Sequence, residues 1–285
     1  MRRLRTWVVL GILMELTGAR AATVQASEPA VYEVYAVRYA RLLGYPVESL
    51  VQGADPKRKL DLAMTVWVLK GPGKRTVLVD TGFYRPEIMT RKDVADYTRP
   101  DKALERLGIS AEQVTDIVIT HMHWDHADGV DLFPKARVWI QREEYDYYTR
   151  KAREPGGDQN SFIPAFVVAL VNLNKLGRVH LVDGDAKEII PGVTVYTGGR
   201  HTFASQYVGV NTKAGRLVIA SDNLYLYENL DKHVPIAQTF DAKSNLAAQD
   251  RMKQIATSPR LIKPGHDPAV FVRFPKPGNG VALLE

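Results

Sequence analysis

Four potential metal ligands crowd into six residues of this chain, in the run His121-Met122-His123-Trp124-Asp125-His126. The apolar stretch 115–120 leads directly into it and reads as a strand. Alternate residues of an extended chain point the same way, so His121 and His123 are placed to clasp one ion. Asp125 and His126 follow where the chain turns into a helix, and aim at a second ion beside the first. A histidine used for packing comes singly, whereas imidazoles and a carboxylate this dense mark a site for a divalent cation. The chain contains no cysteine. Disulfides, thiolate-ligated zinc, iron–sulfur clusters and a thiol nucleophile are therefore excluded, and the centre must be built from His and Asp.

Three further residues can complete it. His201 in Gly198-Gly199-Arg200-His201-Thr202 follows an expected strand at 193–197. Asp222 follows one at 217–221, and His266 in Pro264-Gly265-His266-Asp267 follows one at 261–263. Loops just past strand ends are where a layered fold gathers its functional groups. His180 reads as the start of a polar loop and His233 as a surface residue. Tyr225, three residues after Asp222, either swings its phenol toward the ions or packs against apolar neighbours.

The remaining pattern is that of one domain, residues 31–285. With 45% hydrophobic and 25% charged residues, disordered, collagen-like and coiled-coil chains are excluded. Strands are expected at 31–39, 62–69, 76–79, 136–141 and 206–211, with Gly71-Pro72-Gly73 as a turn and 212–216 closing a hairpin. Helices are expected at 102–113 with a break at Gly108, and at 142–151, 162–176 and 246–256. Residues 44–59, with Lys57, Arg58 and Lys59, read as a solvated loop. Strands in each half punctuated by helices give two sheets faced by helices, a layered α/β arrangement.

The first 21 residues read as a signal peptide: Arg2, Arg3 and Arg5, an apolar run at 7–14, then Ala19-Arg20-Ala21. The run is too short to span a bilayer, which takes about 20 residues. The protein is thus expected in the periplasm or secreted, without stable membrane insertion, and residues 22–30 as a flexible lead. Arg2, Arg3, Arg5 and Arg20 against Glu15 put a net +3 in the leader, half of the chain's formal +6. The balance that remains is modest and scattered, and nucleic acid is not expected as a partner.

The run His121–His126 matches the H-x-H-x-D-H signature, and the chain resembles the metallo-β-lactamase superfamily, a four-layer αββα sandwich. Asp80 in Asp80-Thr81-Gly82, His201, Asp222 and His266 stand in that family's order. The resemblance implies that His121, His123 and His201 hold one zinc, that Asp125, His126 and His266 hold the other, and that Asp222 bridges them. Asp80 would support the site from behind. Cobalt, iron or manganese are alternatives to zinc. Within the superfamily the chain looks most like the N-acyl homoserine lactonases, through Asp222 with Tyr225, Tyr227-Glu228-Asn229-Leu230, Phe240-Asp241 and Gly265-His266-Asp267. Two departures stand out: Ala127-Asp128-Gly129 where Ala-Gly-Gly is usual, and Ser205 where several relatives carry a second histidine.

This resemblance implies a quorum-quenching lactonase with a small-molecule lactone as substrate, and a homodimer. Two zinc ions would acidify a bridging water whose hydroxide attacks the lactone carbonyl, with Tyr225 donating to the oxyanion and Asp125 or Asp222 shuttling the proton. Met64, Trp124 and the helix at 162–176 are candidates for the acyl-chain wall, with core packing as their ordinary role. The alternative is another hydrolase of this fold acting on a different lactone, a β-lactam or a thioester. A metal-binding protein without turnover is the reading from outside enzymes.

Overall fold

The computed structural model describes residues 29–150, 154, 164–274 and 280–285. The signal peptide and most of the lead lie outside the described residues, as do Lys151 and residues 162–163 of the expected helices.

The first sheet is built from β1 (Glu33–Pro46), β2 (Lys59–Lys70), β3 (Thr76–Val79), β4 (Val94–Ala95), β5 (Asp116–Val118), β6 (Arg137–Gln141) and β7 (Val179–Val182). The second contains β8 (Lys187–Ile190), β9 (Val193–Thr197), β10 (Gln206–Thr212), β11 (Gly215–Ser221) and β12 (Ile262–Pro264); β13 (Val281–Leu283) returns to the edge of the first. Pairing runs β13-β1-β2-β3-β5-β6-β7 in one sheet, with β4 on β1, and β12-β11-β10-β9-β8 in the other. β1, β2 and β3 are antiparallel, and β3, β5, β6 and β7 are parallel.

Period-two alternation decides what each face packs against. Val77 and Val79 point into the space between the sheets with Trp67 and Val118, and meet Val195, Val208, Leu217 and Ile219. Leu78, Ile117, Val138 and Ile140 face outward. There they are covered by the helices α4 (Arg142–Arg150) and α5 (Pro164–Lys175), through Tyr145, Tyr148, Phe166 and Leu170. On the other side Val218, Ala220 and Ile262 are covered by α7 (Ala242–Ile255), through Ala248 and Met252. The helices α1 (Pro86–Met89), α2 (Pro100–Ala103), α3 (Trp124–Ala127), α6 (Tyr227–Lys232) and α8 (Val270–Arg273) are short. The layers are helix, sheet, sheet, helix, the αββα arrangement expected from the sequence. Among the described residues no helix is long and apolar enough to cross a membrane.

Several local expectations are corrected. β1 continues through Gly44–Pro46, which had read as loop; a register shift between Leu42 and Tyr45, with Gly44 at φ 62°, lets the strand bend and carry on. The strand expected at 115–120 pairs only over Asp116–Val118, because the Thr120 N–H turns away to the Asp80 carboxylate at 2.8 Å. His180 is not in a loop: it lies in β7 and stacks on Trp139 with ring centroids 4.5 Å apart. The helix at 102–113 breaks at Gly108, φ 68°, as expected, but it starts earlier, at Pro100, and its second piece is only Ala111–Gln113. α7 begins earlier than expected because Asp241 caps it, its carboxylate accepting the Ser244 N–H at 3.1 Å.

Candidate metal centre

The site lies along one edge of the sandwich, at the C-terminal ends of β3, β5, β9, β11 and β12. Asp80 and the 121–126 run leave the first sheet there, and His201, Asp222 and His266 leave the second. All seven proposed ligands converge. His121, His123, His201 and Asp222 form one group, and Asp125, His126, Asp222 and His266 another, with ligand atoms within 4.8 Å of one another in each.

Asp222 belongs to both groups and divides its oxygens between them. Its Oδ2 lies 3.4 Å from His201 Nε2 and 3.7 Å from His121 Nε2. Its Oδ1 lies 2.9 Å from His266 Nε2 and 3.3 Å from His126 Nε2. Asp125 closes the second group, its Oδ2 3.3 Å from His126 Nε2 and 3.5 Å from His266 Nε2. Tetrahedral zinc with bonds of about 2.0–2.1 Å separates its ligand atoms by about 3.3 Å, so the spacing matches such an ion.

The ring nitrogens that face away are tied down. His126 Nδ1 meets Asp80 Oδ2 at 2.8 Å, His201 Nδ1 meets the Gln238 carbonyl at 2.9 Å, and His266 Nδ1 meets the Ala63 carbonyl at 3.2 Å. His121 Nδ1 meets Thr120 Oγ at 3.0 Å, and that hydroxyl in turn donates to Asp80. A proton held at Nδ1 by an acceptor leaves Nε2 with its lone pair directed inward. His123 is turned the other way and presents Nδ1, 2.9 Å from His201 Nε2. Nε2 of His121 and of His126 and Oδ1 of Asp222 are buried without a hydrogen-bond partner, a costly state unless something else occupies them. The donors, their spacing and these orphaned atoms all fit divalent cations.

The electrostatics point the same way. Burial, followed by the crowd of neighbouring imidazoles, pushes His121 well down and His123 down to about 3. Burial opposes charge on His126 as well, but Asp222, Asp125 and Asp80 outweigh it and push His126 well up. Burial would raise Asp222, yet His266 and His126 hold it well below the usual carboxylate range. Three carboxylates converging at one buried place call for positive charge there, which a cation supplies better than a histidinium.

Backbone geometry serves the same edge. Asp80 and Ser221, the latter just before Asp222, are held at φ 63° and 49°. Such left-handed conformations cost energy in residues with side chains and cluster at functional sites. Gly265 is required beside His266: a Cβ there would lie 2.7 Å from Asp222 Oδ1 and 2.8 Å from the Ser221 carbonyl carbon.

A cavity of about 210 Å³ opens over the two groups, lined by His123, Asp125, Asp222, Tyr225 and His266. Leu42, Leu50, Leu62, Met64 and Trp124 form its apolar wall, and Tyr45, Arg91 and Gln238 its polar rim. Met64 and Trp124 line the cavity while also packing in the core, so the reading that the sequence put second to core packing holds beside it; among the described residues of α5 none lines the cavity. Trp124 is braced by Phe83 at 5.0 Å, and Phe83 by Tyr39 at 5.2 Å. Tyr225 lines the cavity, and its phenol oxygen lies 3.3 Å from His201 Nδ1, the outward nitrogen of that ring. Burial, then the Asp222 charge, pushes the phenol well up, so it is a neutral donor at neutral pH. Sequence reasoning missed Thr120, Ser221 and Gln238. Gln238 acts through its main-chain carbonyl, which no residue type announces.

Both departures from the family pattern have local explanations. Asp128 is buried and accepts the N–H groups of Tyr84 at 2.8 Å and Arg85 at 3.0 Å, and the Arg85 guanidinium pairs with its Oδ1 at 2.8 Å. Ser205 donates to Asn223 Oδ1 at 2.9 Å, away from the ligand groups.

Comparison with known proteins bears on the family and the fold. Residues 61–266 match the family model described as the metallo-beta-lactamase superfamily. An N-acyl homoserine lactonase from a Bacillus species is 27% identical over 232 residues, covering 74% of this chain and 84% of that protein. The N-acyl homoserine lactonase AiiB of Agrobacterium fabrum is 25% identical over 250 residues, covering 78% and 86%. Among solved structures, an N-acyl homoserine lactone hydrolase with the product N-hexanoyl-L-homoserine at its catalytic metal centre superposes with a TM-score of 0.68 at 22% identity, covering 86% of this chain and 97% of that one. AidC, described as a dizinc quorum-quenching lactonase, superposes with a TM-score of 0.65 at 16% identity, covering 89% and 93%. With the signature run, the ligand order and the αββα layers all in place, the chain belongs to the metallo-beta-lactamase superfamily.

Proposed function

We propose that this protein opens the lactone ring of N-acyl homoserine lactones, holding two zinc ions between His121, His123, His201 and Asp222 on one side and Asp125, His126, Asp222 and His266 on the other. The observation that carries this reading is the pair of ligand groups joined through Asp222 at the floor of a cavity with an apolar wall. The names of the relatives with which the chain shares most of its length support the choice of substrate.

Bound zinc supplies a water made acidic near neutral pH and a Lewis acid for the carbonyl oxygen. The chain's own groups do the rest. Tyr225 donates its hydroxyl proton in a hydrogen bond to the carbonyl oxygen as negative charge develops there. Asp125 lines the cavity beside Tyr225 and His266 and is placed to accept the proton that water gives up. The hydroxide left from that water adds to the lactone carbonyl carbon, the bond from that carbon to the ring oxygen breaks, and the ring oxygen takes the proton back from Asp125. The product is the open N-acyl homoserine. Leu42, Leu50, Leu62, Met64 and Trp124 shelter the acyl chain from water.

The test is a panel of N-acyl homoserine lactones of different chain length, with a simple γ-lactone, a β-lactam and a thioester beside them, and metal content measured on the same sample. Ring opening of the acyl homoserine lactones that chelation abolishes is expected. Zinc-loaded protein inert on all of them, or active on the β-lactam or thioester alone, would sink the reading. Residues 1–21 further support export. Fractionation and N-terminal sequencing should find a mature chain starting at Ala22 outside the cytoplasm, and an intact leader on cytoplasmic protein would count against it.

A further inference from the structure

His123 and His201 come from different sheets, and their facing ring nitrogens lie 2.9 Å apart. Among the described residues, no backbone hydrogen bond joins 121–123 directly to 201–204; the nearest link is Gln206 N–H to the Thr120 carbonyl at 2.9 Å. One side chain bridges the gap. Glu144 on α4 is completely buried and accepts from both loops. Its Oε1 takes the Met122 N–H at 2.8 Å and the Thr202 hydroxyl at 2.8 Å, and its Oε2 takes the Ala204 N–H at 2.7 Å. Met122 lies between His121 and His123, and Thr202 follows His201. The second ligand group shares Asp222 but is otherwise held by different contacts: Asp125 and His126 ride on α3, Asp80 ties His126 from behind, and His266 hangs from the loop after β12.

We propose that Glu144 is a positioning residue that clamps the two histidine loops together and so sets the affinity of the first ligand group for its ion, leaving the second group untouched. A carboxylate suits the task because it accepts at both oxygens at once, in short charge-assisted bonds. Glu144→Gln keeps the volume but turns one acceptor into a donor, which must face either the Ala204 N–H or the Met122 N–H. Losses in metal affinity on removing such supporting contacts run to about 10–100-fold.

The inference rests on the metal-site reading above, and the experiment separates the two. Zinc affinity is measured on the full chain by competition with a chromophoric chelator, in a His266→Ala background that isolates the first group and a His201→Ala background that isolates the second. Glu144→Gln is expected to weaken zinc by about 10–100-fold in the first background and by less than about 3-fold in the second. Equal losses in both, or none in either, overturn the clamp. Should Glu144→Gln fail to fold by circular dichroism, Thr202→Val removes one of these donors, and a smaller loss confined to the first background is then expected; no loss, or loss in both, overturns the proposal. A wild-type chain that takes up no zinc overturns the metal reading and the clamp with it. Two-zinc loading of the wild type with an unchanged Glu144→Gln variant overturns the clamp alone.

Discussion

Asp80 Oδ2 lies 2.8 Å from Nδ1 of His126, so a carboxylate outside both ligand groups orients an imidazole inside one. Asp80 also accepts the Thr120 N–H at 2.8 Å and the Ser221 hydroxyl at 3.2 Å, and so ties the end of β5 to the end of β11. Asp80→Ala should weaken metal binding at the second group by about 10–100-fold. Metal per chain after desalting is the measurement, and retention of full occupancy would refute the role.

Asp222 gives one oxygen to each group. Asp222→Ala should therefore strip both ions, whereas His266→Ala should strip one. Elemental analysis distinguishes them, with a stoichiometry below one expected for the first variant and about one for the second.

Tyr225 touches His201 but is in neither ligand group. Tyr225→Phe is expected to keep the metal and lower kcat by about 100-fold, as for loss of one oxyanion donor. A fall in metal content in parallel with kcat would instead make the phenol a support for His201.

Two arginine pairs make opposite predictions for stability. Arg85 and Asp128 are nearly buried, with side-chain exposures of 11% and 0%, so Asp128→Ala leaves the guanidinium short of a partner. A loss of about 3 kcal/mol is expected, at the lower end for a buried pair because Asp131 still reaches Arg85 at 2.7 Å. Arg58 pairs with Glu228 at 2.7 Å but is itself 45% exposed, and Lys232 still reaches Glu228 at 2.7 Å when Arg58 is removed, so Arg58→Ala should cost under about 1 kcal/mol. Urea unfolding at constant free metal tests both, and equal costs would contradict the burial argument.

Lys263 is fully buried, donating to the Arg260 carbonyl at 2.6 Å, with its amine 3.5 Å from the centre of the Phe274 ring. Burial pushes it down to about 7. The unfolded chain, with an ordinary lysine near about 10.4, binds the extra proton between those values, so stability should rise with pH from about 7 to about 10. From pH 7 to pH 9 the rise is expected to be about 2 kcal/mol, and Lys263→Met should abolish it. Unfolding of the metal-free protein at the two pH values decides the matter.

The metal groups were legible in the sequence because their signals are local. Three histidines and an aspartate sit in one six-residue run, and His201, Asp222 and His266 each follow a short apolar strand. What was not legible depends on chain neighbours far apart. β7 and β8 are short segments, and the polar residues of His180 and of Lys187–Glu188 hide their pairing, which the adjoining strands β6 and β9 provide. α6 gains its place from Tyr227, whose N–H donates to Asp267 across 40 residues at 2.9 Å. Gln238 and Ala63 serve the site with carbonyl groups that every residue possesses. Asp128 could be recognised as a departure from the pattern, but its partner Arg85 could not, since the two meet only when β3 and β5 lie side by side.

The ligands leave two different sheets, His121 to His126 from one and His201, Asp222 and His266 from the other. On the proposed reading, ions held between them would rivet the two halves of the sandwich at one rim. Resistance to unfolding then becomes a function of solution composition, rising by about 1.4 kcal/mol per site for each tenfold increase in free metal above its dissociation constant. Scarcity of the ion would then loosen the same rim that is proposed to carry the chemistry, and a metal-starved molecule would lose its catalyst and its fastening together.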